Sequence, residues 1–390
     1  MIKHTSLVAL VAMLAGWACA AHAEDNIKVG VIATLSGPPA VLGQQLRNGF
    51  QLAVKDLGGK LGGREAEIFV ADDELKPDVA VTKVKSLIDR DKVDFVVGPI
   101  FSNILGAITK PVTEADVILI SPNAGTSTFA GKECNPNLFV TSYQNDQVHE
   151  VLGQHAQDSG YKKVIIIVPN YQAGKDAAAG FKHKFSGEIV DEIYVPLGQP
   201  DYSAELSRIA AASPDAIFAF LPGGMGVNFV KQFRQSGLAD KIPFLSAFTV
   251  DESTLPAQQD AALGMLAGSD WAPNLDNPKN KAFVEEYVKE FNAVPATYAF
   301  QAYDAALLID SAVRAVKGNL ADKDALRTAL KKADFKSLRG AFKFNNNHYP
   351  IQDFYLTKVA KRPDGKYQTE IVKKVFSDYG DSYAKDCTMK

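Results

Sequence analysis

Short runs of Val, Ile and Phe alternate with longer amphipathic segments in two successive series, and this pattern constrains the chain more than any other feature. Each run followed by a helix-length segment reads as a βαβ unit, whose parallel strands are covered on both faces and therefore carry near-continuous apolar side chains. The first series places strands at Ile27–Ala33, Ile68–Ala71, Phe95–Val97 and Ile118–Ile120, with helices over about Val41–Leu57, Val79–Asp89 and Ile104–Ala115. In the second helix Val81, Val84 and Ile88 recur at helical spacing, so one face can pack on the sheet. A second series starts after Asp146, with strands at Val164–Val168, Ile189–Val195, Ala216–Leu221, Phe244–Ala247 and Met265–Gly268. From Asn277 the chain turns helical, with Phe283, Tyr287 and Phe291 four apart and an Ala-rich stretch over Tyr298–Val316. The end alternates from Phe342 to Phe376 around Asp364-Gly365, a strong hairpin turn. The fold class is therefore α/β, with two doubly wound, Rossmann-like units in tandem.

A basic start (Lys3, His4), an apolar run from Leu7 to Trp17 and Ala21-His22-Ala23 before Glu24-Asp25 describe a secretory signal, residues 1–23, cleaved after Ala23. The run is too short to span a bilayer, which needs roughly 20 apolar residues. Cys19 raises a lipid anchor, but Gly16-Trp17-Ala18 does not supply the Leu-rich box that would precede one. Cleavage removes Lys3 and no acid, so 42 basic side chains become 41 against 45 acidic ones, a net −4. A nucleic-acid partner is not expected, since tracking phosphates needs clustered excess cations. In an oxidising compartment the two remaining cysteines, Cys134 and Cys387, are expected to form a disulfide. Closing so long a loop contributes on the order of 5 kcal/mol in the chain-entropy view.

The chain carries no Walker-type loop, Gly-x-Ser-x-Gly elbow, His-Glu-x-x-His or Cys-x-x-Cys pattern, so neither an enzyme nor a cofactor is expected. Beyond the signal, His149, His155, His183 and His348 fall on helices and a late turn, and surface or structural roles are assigned to them. Asp72-Asp73-Glu74 lacks the Gly and distal Glu of a calcium loop and reads as a solvated turn, with no metal. Gly58-Gly59 and Gly62-Gly63 follow a helix and read as a tight connection. The strand-end loops are more informative, because ligands on open α/β sheets sit beyond the carboxyl ends of the strands, where helix starts offer free N–H groups. Ser36, Ser102 and Thr126 lie on such loops, each with N-capping as the alternative role.

At these loops the sequence resembles the type I periplasmic binding proteins of the leucine/isoleucine/valine-binding family, which serve ABC transporters. The resemblance spans the chain beyond the signal and rests on the order of weak elements: Ile27-Lys28-Val29-Gly30-Val31 into Leu35-Ser36-Gly37-Pro38, Gly43 with Asn48-Gly49, Val97-Gly98-Pro99 with Ser102, Ile120-Ser121-Pro122, Gly174 and Tyr303-Asp304-Ala305. It implies two lobes joined by a three-crossover hinge, with ligand in the cleft: 24–143 plus 274–349 as the N-terminal lobe, 144–273 plus 350–390 as the C-terminal one. It also implies an exported periplasmic monomer that docks on permease subunits in the inner membrane. Amino-acid binders of the family hold the ligand carboxylate at positions that match Ser102, Asn123, Ala124 and Thr126. They meet its ammonium with an acid at a place that here reads Ser246-Ala247-Phe248-Thr249, where an aromatic ring stands instead. An ammonium without its counter-charge would cost several kcal/mol. Phe101, Tyr171, Met225, Phe248 and Trp271 would line a slot for a ring, and Leu221-Pro222-Gly223-Gly224-Met225-Gly226-Val227-Asn228 resembles the subgroup that binds benzoate-like acids, which adds Gly224. The expected ligand is an aromatic carboxylate; the rivals are a branched-chain amino acid or small amide, and a sensor that docks on a membrane receptor.

Overall fold

The structure, a computed structural model, describes residues 26–389; the signal segment and its cleavage site lie outside these residues. The first sheet is built from β1 (Ile27–Ala33), β2 (Lys60–Leu61), β3 (Arg64–Asp72), β4 (Phe95–Val97), β5 (Ile118–Ser121) and β6 (Leu138–Val140), in the order β2-β3-β1-β4-β5-β6. Its helices are α1 (Ala40–Asp56), α2 (Pro77–Asp89), α3 (Ser102–Glu114) and the short α4 (Ser127–Ala130). Strand β1 pairs in parallel with β3 and β4, and its apolar side chains are buried, as expected of a strand covered on both faces. Strand β3 starts four residues before the expected Ile68, because Arg64, Glu65 and Glu67 alternate on its half-exposed edge and hide it from an apolar-run criterion. The three-residue β6 also escaped that criterion.

Helix α5 (Asn145–Asp158) opens the second unit, followed by β7 (Lys163–Pro169), α6 (Gln172–Lys184), β8 (Glu188–Val195), α7 (Ser203–Ala212), β9 (Ala216–Ala219), α8 (Gly224–Gln235), β10 (Phe244–Ser246), α9 (Leu255–Gln258) and β11 (Leu266–Ser269). Three helices come next, α10 (Pro278–Phe291), α11 (Thr297–Ala315) and α12 (Lys323–Lys332), then β12 (Lys343–Phe344), β13 (Pro350–Lys361) and β14 (Tyr367–Tyr379). The second sheet runs β12-β13-β11-β10-β9-β7-β8, with β14 paired to β13 as the hairpin turned at Asp364-Gly365.

The late helices pack back on α1. A side chain at Gly49 would stand 2.0 Å from the Ala299 carbonyl oxygen, so only glycine lets α1 and α11 approach this closely. Tyr287 Oη donates to Gln45 Oε1 at 2.8 Å and Tyr303 Oη to Asp56 Oδ2 at 2.7 Å across the same seam. Where the chain leaves β6, leaves β11 and enters β13, one buried side chain collects the strands of the hinge. Arg339 donates to the carbonyls of Thr141 (2.7 Å) and Ser142 (3.0 Å), to Asp270 Oδ2 (3.4 Å), to Asp304 Oδ2 (3.2 Å) and to Gln352 Oε1 (2.5 Å). Its guanidinium also stacks between the Phe300 and Phe342 rings. Cys134 and Cys387 form the expected disulfide.

The acidic trio after β3 is not a solvated turn. Asp73 is fully buried and accepts from Thr34 Oγ1 (2.6 Å) and the Leu75 N–H (2.8 Å), while Asp72 Oδ1 accepts from the N–H groups of Leu35 and Glu74 (2.9 Å each). These bonds shape the loop that follows β1.

Candidate functional site

Residues beyond the carboxyl ends of strands in both sheets line one cavity. Leu42, Ile100, Phe101, Ser102, Asn123 and Ala124 line it from the first lobe, Tyr143, Asn145, His149, Tyr171, Ala173, Phe220, Pro222 and Phe248 from the segments after the first crossing, and Tyr298 from α11. Its empty volume, with the solvent at its mouth included, is about 380 Å³, which excludes a peptide and leaves room only for a small molecule.

One end is polar. Ser102 is the first residue of α3, whose opening N–H groups have no acceptor inside the helix and carry the positive end of its dipole. Ser102 Oγ accepts from Asn145 Nδ2 at 3.1 Å, which leaves the hydroxyl proton free to be donated. Asn145 is fixed in turn by Asp176 Oδ2 (2.8 Å) and by the Gly125 N–H, which donates to its Oδ1 (3.0 Å). Asn123 uses both ends of its amide on the protein, donating to the Ile100 carbonyl (2.7 Å) and accepting from Tyr143 Oη (3.1 Å). Its contribution to the cavity is to hold the loop after β5 beside α3. Preorganised donors of this kind stabilise an anion without any cationic side chain.

The other end is a box of rings. Phe248 stacks on Tyr143 at 5.4 Å, meets Phe220 edge-on at 6.2 Å and Tyr298 at 6.0 Å; Tyr171 lies 6.3 Å from Phe220 and 6.2 Å from Phe101. Phe248 sits at φ 57, a left-handed backbone that a bulky side chain avoids, at a cost of order 1–3 kcal/mol. The surrounding packing holds it there, with the residue in the cavity wall. Burial raises the phenols of Tyr143, Tyr171 and Tyr298, and it pushes the His149 imidazole down to about 3. The whole wall is therefore uncharged at neutral pH.

The structure brings Phe101, Ser102, Asn123, Ala124, Tyr171 and Phe248 together, and places five other expected residues outside the wall. Ser36 is exposed on the loop after β1. Thr126 caps α4, its Oγ1 accepting from the Thr128 N–H at 3.3 Å. Gly224 opens α8 against the first lobe: a side chain there would stand 3.1 Å from Pro38 Cβ, so the residue closes the cleft instead of lining it. Met225 turns into the second lobe's core, where its sulfur accepts from the Gly198 N–H at 3.2 Å. Trp271 stacks on Phe300 at 4.8 Å and donates Nε1 to Asn280 Oδ1 at 2.7 Å, which buries it in the hinge.

Sequence reasoning missed Tyr143, Asn145, His149, Phe220 and Tyr298. Phe220 was within reach of the strand-end rule, since it follows β9 directly. The others stand on or beside the N-terminal turns of α5 and α11, helices that follow a crossing or a loop, so no strand end announces them. His149, read as structural or surface, is buried in the cavity wall.

Among the described residues no helix is long and apolar enough to cross a membrane. The sequence profile of the periplasmic binding proteins matches residues 26–366. A Leu/Ile/Val-binding protein homolog 6 of Brucella melitensis is 32% identical over 393 residues, covering 97% of this chain and 98% of the relative. Two solved structures are similar throughout. One is the solute-binding protein of an ABC transporter from R. palustris in complex with benzoate, with a TM-score of 0.88 and 32% identity, covering 94% of this chain and 100% of that one. The other is a solute-binding protein of Rhodopseudomonas palustris BisB5 in complex with 3,4-dihydroxybenzoic acid, with a TM-score of 0.86 and 34% identity, covering 92% and 99%.

Proposed function

Because this chain belongs to the periplasmic binding protein family, we propose that it is the solute-binding component of an ABC uptake transporter and holds one small aromatic carboxylate, benzoate- or hydroxybenzoate-like, between its lobes. The observation that carries the ligand class is the cavity wall, with six Phe and Tyr rings, an open helix start beside a free hydroxyl, and no Asp, Glu, Lys or Arg. A carboxylate docked at Ser102 meets the α3 N-terminus and a hydroxyl donor, while the ring fills the aromatic box. The benzoate and dihydroxybenzoate complexes of similar proteins support the same class.

The name of the Brucella relative favours a second reading, a branched-chain amino acid. Its ammonium would enter a wall without a counter-charge, at a cost of several kcal/mol. Two buried acids lie behind the wall, each engaged by protein groups: Asp176, whose Oδ2 accepts from Asn145 Nδ2 at 2.8 Å, and Asp251, whose Oδ2 lies 3.5 Å from Tyr298 Oη. Catalysis is a weaker reading still, because Ser102 is hydrogen-bonded to an amide and not to a base.

In this proposal the exported chain works as a monomer in the periplasm and docks on permease subunits in the inner membrane. The lobes are 24–143 with 274–349 and 144–273 with 350–390, and they close over the ligand. Strand β12 falls in the first group yet pairs with β13 of the second. Titration calorimetry with benzoate and with L-leucine tests the ligand class. Benzoate should bind and leucine should not; tight leucine binding with no benzoate binding overturns the reading. Recovery of chemically altered benzoate would show an enzyme instead.

A further inference from the structure

His149 is a polar side chain of the cavity wall set among aromatic rings. Its edge-on neighbours are Phe220 at 5.0 Å, Phe218 at 5.5 Å and Phe248 at 6.3 Å. Its side chain is buried, its Nδ1 is shut away from solvent without a hydrogen-bond partner, and among the described residues neither ring nitrogen is bonded to the protein. Most other polar groups of the wall differ, although the Tyr171 hydroxyl also has no hydrogen-bond partner among the described residues. Asn123, Tyr143 and Asn145 are committed to protein partners, and Ser102 already receives a bond from Asn145. A buried polar nitrogen left without a partner is costly, and folded proteins rarely keep one without a use.

Its position on the helix supplies the geometry. His149 follows Asn145 by four residues on α5, so the two side chains share one face, one turn apart, with about 5–6 Å between their Cβ atoms. Asn145 marks the polar end, because its amide holds Ser102. His149 therefore stands one turn beyond the carboxylate end, a step comparable to the breadth of a benzene ring.

We propose that His149 hydrogen-bonds a hydroxyl group on the ligand ring, on the side away from the carboxylate, and so selects hydroxylated aromatic acids over the unsubstituted acid. This rests on the aromatic-carboxylate reading above and adds the substituent to it. A neutral imidazole offers one donor and one acceptor, and a phenolic hydroxyl complements either. Burial keeps the ring uncharged, so it does not compete with the α3 N-terminus for the carboxylate. An unsubstituted ring leaves the nitrogen orphaned; a site built around a ligand hydroxyl discriminates strongly against the analogue that lacks it.

The test is titration calorimetry of the mature wild-type protein, His149→Leu and His149→Gln with benzoate, 3-hydroxybenzoate and 4-hydroxybenzoate. At least one hydroxybenzoate should bind the wild type about tenfold or more tighter than benzoate. The ratio should fall to within about threefold in His149→Leu and recover in part in His149→Gln, which restores a donor and an acceptor. Equal affinities in the wild type, or a preference that survives in His149→Leu, overturn the inference and leave the aromatic-carboxylate reading standing. Absence of binding by all three acids overturns both. Should His149→Leu fail to fold, the wild-type ratio and His149→Gln decide.

Discussion

Arg339, behind the cleft, spends its guanidinium on Thr141, Ser142, Asp270, Asp304 and Gln352, whereas Ser102 and His149, inside the cleft, each keep a hydrogen-bonding group that no protein atom takes up. Both regions lie where the two lobes meet, and both bury polar atoms among aromatic rings. The hinge matches a buried cation with two buried carboxylates, so its polar groups serve the fold. The cavity wall carries no Asp, Glu, Lys or Arg and keeps hydrogen-bonding capacity that no protein atom takes up, so in the proposed function its polar groups serve a ligand. Substitutions in the first region should move stability, and substitutions in the second should move affinity.

The largest effect should come from the hinge. Arg339→Ala leaves Asp270 and Asp304 buried without their cation, and removing one partner of a buried ion pair costs about 3–5 kcal/mol. The urea midpoint of the ligand-free protein should fall accordingly; an unchanged midpoint would break the contrast at its stronger side. Next comes the cavity: Ser102→Ala removes a neutral donor to a charged ligand and should weaken aromatic-acid binding by about 1.5–3 kcal/mol, roughly tenfold to a hundredfold in Kd. The thermal midpoint of the ligand-free variant should stay close to that of the wild type, and a large fall would make Ser102 a structural residue.

The smallest effect sharpens the contrast with a group of intermediate kind. Glu252, just past Phe248, is buried without a cation; its Oε1 accepts from the Thr369 N–H and Oγ1, each at 2.7 Å. Burial pushes its carboxyl up to about 7 from an ordinary 4.5. Between those values the folded state holds more protons than the unfolded one, so this group favours folding as pH falls through 7 and opposes it as pH rises. Glu252→Gln should therefore be more stable than the wild type at pH 8, by about 1–2 kcal/mol, with a difference that shrinks on acidification and vanishes below the unfolded value. A constant difference across that range in denaturation curves would contradict the sign.

The fold was legible wherever a strand is buried on both faces. Ile27–Ala33 and Phe95–Val97 are the same in sequence and structure, because apolar residues fill them apart from Lys28 and Gly30. It was less legible at the edge of β3, where polar alternation masks the start, and in β6, whose three residues leave no pattern. The site followed the same logic. Loops after β4, β5, β7 and β10 announced Phe101, Ser102, Asn123, Ala124, Tyr171 and Phe248, since strand ends mark the ligand side of a parallel sheet. Met225 and Trp271 show the limit of that rule: an apolar residue near a strand end can turn into the core, and sequence does not say which way it faces. His149 shows the opposite limit. The role proposed for it rests on the absence of a partner, and only the surroundings of a side chain reveal that.

In the proposed function a polar grip at Ser102 and an aromatic box at Phe248 act on one ligand. A crystal structure of the protein with 4-hydroxybenzoate tests it most directly. The carboxylate should lie against Ser102 Oγ and the first N–H groups of α3, with the ring beside Phe248 and Phe220. A carboxylate turned toward Phe248, or a ligand bound outside this cavity, would contradict it.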